Sequence, residues 1–384
     1  MPKYIQADQF FYPHGIRQGG YLELVDGKFG KWSKEIPADS DVIDYTGYSI
    51  APGLVDTHIH GFGGVDVMDN NIEGTLHIMS EGLLSTGVTS FLPTTLTSSF
   101  ELLLAVTKNI GDHYQEATGA KIRGLYFEGP YFTEKYKGAQ NPIYMKDPRM
   151  DEFRAWQKAS NGLLNKIALA PERESVEDFV RTITDEGVTV ALGHSNATFE
   201  EAKAAVDAGA SVWVHAYNGM RGLTHRELGM VGAMYELPHT YAELICDGHH
   251  VDPKACDILM KQKGHEHIAL ITDCMTAGGL EDGDYMLGEF PVVVENGTAR
   301  LKSTGNLAGS ILKLKDGLKN VVKWGIVNAH QAVMMATLNP AKSVHIEDVC
   351  GQIKEGHDAD FIVLDKDLEL VATYLDGEKR YEAK

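Results

Sequence analysis

The sequence is poor in cysteine and has no long hydrophobic run. Its 384 residues include 4 cysteines, and none of them forms a Cys-x-x-Cys pair, which excludes a disulfide framework and the common thiolate metal motifs. No apolar stretch approaches the ~18 residues that cross a bilayer, and the first residues lack the apolar core of a signal peptide. We expect a cytoplasmic protein without a membrane partner, in which the thiols are small buried apolar groups. These are Cys246, Cys256, Cys274 and Cys350.

Positive charge is also scarce. Lysine and arginine number 35 against 54 aspartates and glutamates, which gives a net charge of −19 at pH 7. Because duplex-binding proteins present positive charge to the phosphates, this composition argues against a nucleic-acid partner. The simplest interpretation of the acidic composition is that a high net charge keeps the protein soluble. If the substrate is an anion, its positive pocket must be built locally.

The composition is otherwise that of a globular protein. Hydrophobic residues make up 43% of the chain and charged residues 23%, which are ordinary values. An α/β barrel takes roughly 250 residues as one unit. The length therefore predicts one large domain and a smaller one.

The two ends of the chain share a pattern of short strands and tight turns. Asp-Gly turn signals follow strand-like runs near both ends. Because chain termini often lie close together, the ends are predicted to pair into one β domain. The runs lie at 21–25, 359–365 and 368–373, and the predicted domain takes residues 1–52 and 350–384.

The middle of the chain, residues 53–349, alternates strand-length apolar runs with helix-like stretches. Ser175 and Thr198 each have an acidic residue three positions on, which is the spacing of a helix start, and Gly187 and Gly209 supply stops. Alternation over this length favours a parallel sheet closed into a barrel.

Several of these apolar runs end on side chains that can bind a metal ion or transfer a proton. His58 and His60 are two positions apart, so on a strand they face the same side. Because the carboxyl ends of parallel barrel strands meet on one face, residues far apart in sequence would converge there. Four imidazoles and two carboxylates would suit zinc or a similar divalent ion with water at an open position. The residues concerned are His58, His60, Glu128, His194, His215 and Asp273.

Other residues in the same regions have weaker claims. Glu172 also follows an apolar run, but a loop carboxylate that caps a helix explains it equally well. His249 and His250 follow an Asp-Gly pair, where a polar loop is the alternative. The nearby aromatic residues are interpreted as packing residues, namely Phe127, Phe132 and Trp213.

The whole pattern resembles the amidohydrolase superfamily, in which His-x-His, Glu, His, His and Asp stand at successive strand ends of a (β/α)8 barrel. Residues 49–61 are similar to its first strand, and residues 351–364 to the return into its β-sandwich. Further motifs resemble the deacetylases of N-acetylated sugar phosphates within that superfamily. They run in order over nearly the whole chain, at 128–132, 137–142, 192–195, 215–220, 226–229, 247–251, 272–279 and 307–310.

The resemblance implies an α/β fold and an activity. The fold is a (β/α)8 TIM-like barrel with a small β-sandwich domain formed by the N- and C-terminal segments. The activity is hydrolysis of N-acetyl-D-glucosamine 6-phosphate to D-glucosamine 6-phosphate and acetate, in amino-sugar catabolism and cell-wall recycling. A homodimer is also implied, with phosphate contacts from the neighbouring subunit.

Two other functions stay open. One is a deacetylase of another N-acetylated sugar phosphate, such as N-acetylgalactosamine 6-phosphate. The other is a non-catalytic scaffold that kept the fold, which would predict a broken ligand set. All the expected ligands are present. The sequence has no Gly-x-Ser-x-Gly elbow to suggest a serine mechanism.

The resemblance assigns the primary metal ligands and the base. Glu128, His194 and His215 match the residues that hold the primary ion. Asp273 matches the general base that takes a proton from water and delivers it to the leaving amine. One or two divalent ions per chain, zinc or iron, are implied.

A second ion is favoured by one departure from the family pattern. His58 and His60, with Asp273, match the second-metal pattern of some members. Some members carry a carbonyl-polarising histidine where this chain has Gln140, and members of that kind often lack the second histidine of this pair. A second metal could do the polarising here, with Gln140 donating a hydrogen bond.

The remaining assignments concern the substrate. Arginine suits bidentate binding of phosphate, and an ion pair with Glu227 is the alternative for Arg226. Leu307 matches a backbone contact near the acetyl group. The sugar-phosphate contacts are matched by Asn218, Gly219, Arg226 and His250.

Overall fold

The computed structural model describes residues 3–69 and 74–383. Residues 1–2 and 384 of the predicted small domain lie outside this described part. The chain begins with strands β1 (Lys3–Tyr12), β2 (Gly15–Gln18), β3 (Tyr21–Val25), β4 (Lys28–Ser33) and β5 (Asp41–Pro52).

The middle of the chain supplies the next strands and all the α-helices of the described residues. The strands are β6 (Leu54–Ile59), β7 (Gly61–Phe62), β8 (Val65–Asp66), β9 (Val88–Thr95), β10 (Lys121–Ile122), β11 (Leu125–Tyr131), β12 (Leu164–Leu169), β13 (Thr189–Leu192), β14 (Val212–Trp213), β15 (Tyr241–Leu244), β16 (Ile268–Leu270), β17 (Gly283–Leu287), β18 (Phe290–Glu295) and β19 (Thr298–Leu301). The helices are α1 (Thr75–Leu83), α2 (Phe100–His113), α3 (Met150–Ala159), α4 (Val176–Thr184), α5 (Phe199–Asp207), α6 (Gly229–Glu236), α7 (Pro253–Lys263), α8 (Leu314–Lys323), α9 (Ala329–Ala336) and α10 (Leu338–Ser343). Three strands end the chain, namely β20 (Phe361–Leu364), β21 (Leu370–Leu375) and β22 (Glu378–Glu382).

Eight parallel strands of the described chain form a barrel, which confirms the predicted fold. Their order is β6, β9, β11, β12, β13, β14, β15 and β16. A parallel bridge between Ile59 and Cys274 closes the ring. Beside it, the Asp273 amide donates to the His58 carbonyl over 2.9 Å. The barrel therefore brings the last strand end back to the first.

Two barrel strands, β9 and β15, carry no clear apolar run, and neither of them ends on one of the predicted ligands. More than half of the β9 sequence is threonine, serine and proline, and β15 holds Glu243 among apolar neighbours. Both strands are almost wholly buried. Polar side chains inside the barrel thus obscure the apolar pattern by which the other strands are recognised.

The two ends of the chain pair into one sheet of the order β22, β21, β20, β5, β1, β3 and β4, with β2 paired to β1. Strand β5 runs parallel to β1 and antiparallel to β20, with Phe361 opposite Pro52. Gly53 alone separates β5 from β6, where a side chain would come within 2.0 Å of Thr89 Oγ1. The predicted pairing of the termini is confirmed, whereas the exact boundaries at 52 and 350 stay a prediction.

The two helix starts examined in the sequence form for different reasons. At α5, Thr198 and Glu201 make a reciprocal capping box, as predicted. Helix α4 begins directly after Ser175, but this residue has a φ of 62° and makes no side-chain cap bond. There the helix is specified by its apolar face, which includes Phe179 and Ile183.

A three-stranded antiparallel sheet, β17–β19, was not expected inside the barrel sequence. It has its own apolar cluster, in which Leu287, Val292 and Val294 pack with Leu96 and Met275. The sheet lies over the carboxyl end of the barrel and brings Leu287 to the edge of the cavity described below. Among the described helices, none has the length and apolarity to cross a membrane.

Candidate metal centre and active site

The six predicted metal ligands all lie buried at the carboxyl ends of barrel strands. Three of them follow their strands with a left-handed backbone, with φ values of 44° at His194, 27° at His215 and 51° at Asp273. This conformation is costly for residues other than glycine and is concentrated at functional sites. The strand ends therefore turn sharply where a ligand is presented.

One group of ligands comprises His58, His60 and Asp273. His60 Nε2 lies 3.1 Å from Asp273 Oδ1 and 3.2 Å from Glu128 Oε2. His58 Nε2 lies 3.5 Å from Asp273 Oδ1 and 3.4 Å from Glu128 Oε1. Glu128 thus faces this group although it belongs to the next.

The second group comprises Glu128, His194 and His215. Oε1 of Glu128 is 3.3 Å from His194 Nε2 and 3.1 Å from His215 Nε2. The two imidazole Nε2 atoms are themselves 3.0 Å apart. Because its two oxygens face different histidines, Glu128 lies between the groups.

Acceptors on the outer side orient three of the four imidazoles. A carbonyl or carboxylate oxygen next to Nδ1 places the ring proton there and leaves the Nε2 lone pair facing inwards. The distances are 3.0 Å from His58 Nδ1 to Glu243 Oε2, 3.1 Å from His60 Nδ1 to the Thr94 carbonyl, and 2.8 Å from His194 Nδ1 to the Tyr136 carbonyl.

This arrangement fits a divalent metal ion. The buried Nε2 of His58 has no hydrogen-bond partner. Burial lowers the pKa of His58, but Glu128, Glu243 and Asp273 outweigh it and raise the pKa to about 9. The site therefore favours a positive charge at its centre, and its imidazole and carboxylate donors suit a divalent metal ion.

A cavity of about 270 Å³ opens beside the two groups. Gln140 lies at its edge, where its side chain donates to Glu128 Oε2 over 2.6 Å and accepts from the Thr97 amide over 2.8 Å. Five of the six residues predicted to contact substrate line the cavity, namely Gln140, Asn218, Gly219, His250 and Leu307.

Arg226 is the predicted substrate contact that this chain does not bring to the cavity. It is exposed on the loop between β14 and α6, and the residues lining the cavity do not include it. The alternative ion pair with Glu227 is not formed, because Glu227 pairs with Arg221 at 3.2 Å. An exposed loop carries no sequence signal for the direction in which its side chains point.

The structure also shows where the residues with a weaker case for a functional role lie. Glu172 is a loop carboxylate that accepts from Ser195 Oγ and the Asn196 amide, each over 2.7 Å, and so anchors the loop after His194. His249 is exposed in a polar loop. The aromatic side chains are buried, as expected of packing residues, and all four cysteines are free and buried.

The sequence analysis did not identify three buried charged residues around the site. Asp56, Lys166 and Glu243 lie within barrel strands at 0% exposure. Asp56 accepts from Thr272 Oγ1 over 2.6 Å, and burial raises its pKa to about 6. A charged residue inside an otherwise apolar strand run is the signal that would have found Asp56 and Lys166, whereas β15 has no clear apolar run to reveal Glu243.

Comparison with known proteins identifies the family to which this chain belongs. The model of the amidohydrolase family matches residues 49–380. The chain belongs to the amidohydrolase family, whose members are metal-dependent.

Its relatives within that family are sugar-phosphate deacetylases. The chain is 40% identical to the N-acetylglucosamine-6-phosphate deacetylase of Vibrio furnissii, over 90% of this chain and 86% of that protein. It is 38% identical to the N-acetylgalactosamine-6-phosphate deacetylase of Escherichia coli O157:H7, over 98% and 99%. Among solved structures, an N-acetyl-D-glucosamine-6-phosphate deacetylase variant from Mycobacterium smegmatis, in complex with N-acetyl-D-glucosamine-6-phosphate, superposes with a TM-score of 0.93. That protein is 29% identical, and the match covers 99% of both chains.

Proposed function

We propose that the protein hydrolyses N-acetyl-D-glucosamine 6-phosphate to D-glucosamine 6-phosphate and acetate, in amino-sugar metabolism. The convergence of four imidazoles with Glu128 and Asp273 beside a cavity carries the proposal. The substrate is taken from the relatives, of which the V. furnissii enzyme is 40% identical.

Glu128, His194 and His215 would hold one divalent ion, and His58, His60 and Asp273 a second, with zinc or iron as the metal. When bound, such ions polarise an amide carbonyl and lower the pKa of water.

Asp273 acts as the base. Burial raises the pKa of its carboxyl, but His58 and His60 outweigh this and hold the pKa below its ordinary value. The ionised carboxylate takes a proton from the attacking water as the new C–O bond forms. It returns that proton to the amine nitrogen as the C–N bond breaks.

His250 supplies local positive charge for the phosphate. Its Nδ1 lies 2.7 Å from Asp247 Oδ2. Burial lowers the pKa of His250, but the Asp247 carboxylate outweighs it and the net pKa is raised. The raised pKa favours the positive charge of this imidazole at the cavity edge, which would attract a phosphate dianion in a protein whose net charge is −19.

The active form is a cytoplasmic homodimer in this proposal. Arg226 is exposed and does not line the cavity of its own chain. In a dimer, Arg226 of the partner subunit would complete the phosphate site, since a guanidinium binds phosphate in a bidentate manner. A measured molar mass of a single chain at assay concentration would contradict this part.

Acetate release from N-acetyl-D-glucosamine 6-phosphate, before and after chelation, tests the proposal, with metal content determined on the same sample. We expect chelator-sensitive turnover with two ions per chain, as in other two-metal hydrolases. The same assay with N-acetyl-D-galactosamine 6-phosphate, the substrate named for the E. coli relative, is expected to be slower. Full activity with one ion per chain would show that a second ion is not required. No turnover of either epimer in any metal-loaded form would overturn the proposed function.

A further inference from the structure

Two charged side chains lie inside the barrel beneath the proposed metal centre. Lys166 on β12 and Glu243 on β15 form an ion pair, and both side chains have 0% exposure. Strands β13 and β14 separate β12 from β15, so the pair crosses the barrel interior. Burying an ion pair costs more free energy than packing apolar side chains of the same size. We therefore looked for the role of this buried ion pair in the residues that it contacts.

The contacts of the pair lead to both groups of proposed ligands. The second oxygen of Glu243 accepts from His58 Nδ1 over 3.0 Å and faces the His215 amide at 3.4 Å. Lys166 Nζ also donates to the Thr57 carbonyl over 3.1 Å and lies 3.8 Å from the centre of the Tyr126 ring. The Lys166 ammonium is therefore contacted by the Thr57 carbonyl, the Tyr126 ring and the Glu243 carboxylate. The same ion pair fixes the position of the carboxylate that faces His58.

These contacts determine the state of His58. An ionised carboxylate can only accept, so the proton of the imidazole lies on Nδ1 and the Nε2 lone pair faces Glu128 and Asp273. That Nε2 has no other partner. Lys166 occupies the first oxygen of Glu243 and prevents the carboxylate from turning away.

We propose that Lys166 and Glu243 are positioning residues of the metal centre. Glu243 fixes the tautomer and the direction of His58, and Lys166 holds Glu243 in place. This inference rests on the proposed function in requiring that the cluster binds a metal ion, but it concerns binding and can be measured without substrate.

The test compares zinc binding by chelator competition and cobalt(II) absorption spectra in metal-free, refilled proteins. We expect Glu243→Gln and Lys166→Met each to weaken the ion held by His58, His60 and Asp273 by about tenfold to hundredfold, the usual effect of losing an outer partner of a ligand. The ion held by Glu128, His194 and His215 should keep its affinity.

Lys263→Met is the matched control. Lys263 is also a buried lysine, 5% exposed, but it donates to the Met234 and Leu237 carbonyls at the end of α6. Its loss should lower the melting temperature and leave metal affinity unchanged. If Lys166→Met does not fold, the isosteric Glu243→Gln still carries the test.

The double variant Lys166→Met with Glu243→Leu separates positioning from structural pairing. If the pair serves only to neutralise itself in the core, removing both charges should restore wild-type metal affinity. Positioning predicts that affinity stays low, because His58 has lost its acceptor. Wild-type affinity in folded Glu243→Gln, or in the folded double variant, would overturn the inference. Absence of metal binding in the wild type would instead overturn the proposed function, and this inference with it.

Discussion

At the scale of single residues, the site combines strained backbone with buried charge. His194, His215 and Asp273 have positive φ values, a conformation that costs each of them of order 1 kcal/mol or more. This conformation directs His194 and His215 into one ligand group and Asp273 into the other. Their residue types were readable in the sequence, whereas their backbone conformations were not, because strand ends carry no pattern that specifies φ.

Asp273→Asn tests the proposed base. The amide has the size of the carboxylate and asparagine tolerates a positive φ, so the fold should survive. Because an amide cannot take up the proton, we expect kcat to fall by about 10²–10⁴-fold. The measurement is acetate release, with circular dichroism and metal content on the same preparation.

Asp185→Asn, on an exposed residue after α4, is the control and should keep wild-type kcat. Turnover near the wild-type level in fully metal-loaded Asp273→Asn would exclude Asp273 as the base.

At the scale of elements, close contact between strands positions the ligands. Gly193 follows β13 directly, and a side chain there would come within 2.6 Å of Val214 Cβ, which follows β14. His194 and His215 are the next residues in the two segments. The separation of these two strand ends therefore sets the distance between the two imidazoles.

Gly193→Ala should force the two strand ends apart. We expect a loss of about 1–3 kcal/mol in the free energy of unfolding, typical of overpacking, together with reduced metal content. Denaturant unfolding and metal analysis measure the two effects. Gly222→Ala is the matched control, since its Cβ would meet nothing within 4 Å. Equal stability and metal content in the two variants would contradict this account.

At the scale of the whole molecule, a network of charges joins the terminal sheet to the barrel. Asp358, in the segment returning to the sheet, accepts from Arg123 over 2.6 Å and from Lys121 over 2.9 Å, and it also pairs with Lys28 of β4. Burial raises the pKa of Asp358, but the hydrogen bonds from Lys28, Arg123 and Lys121 outweigh it and hold the pKa below its ordinary value.

Asp358→Asn should destabilise this junction by about 1–3 kcal/mol at pH 7, the range for hydrogen bonds to charged groups. Because the folded-state pKa is depressed, the stabilisation is fully present above the ordinary value of 3.8 and is lost as the pH falls below it. Melting temperatures of the two proteins from pH 7 to pH 3 should converge below about pH 4. Asp367→Asn, whose side chain is 68% exposed, is the control. A difference that persists unchanged at pH 3 would mean that ionisation of Asp358 is not the cause.

The sequence by itself determined the barrel, the joining of the termini and the set of inward-facing donors. Apolar runs of strand length and the side chains that end them are local features, and parallel strands in a barrel can only bring their carboxyl ends together. His58, Glu128 and Asp273 were therefore identifiable without coordinates, although their roles remain proposals.

Only the tertiary structure decided which residues meet across the barrel and which loops stay outside. Lys166 and Glu243 lie 77 positions apart, and their pairing depends on strand stagger, which no local pattern encodes. Arg226 lies on an exposed loop, whose direction depends on packing around it. Local sequence specifies elements and their chemistry, whereas long-range contacts follow from how the elements pack, because each such contact depends on the position of every strand between its partners.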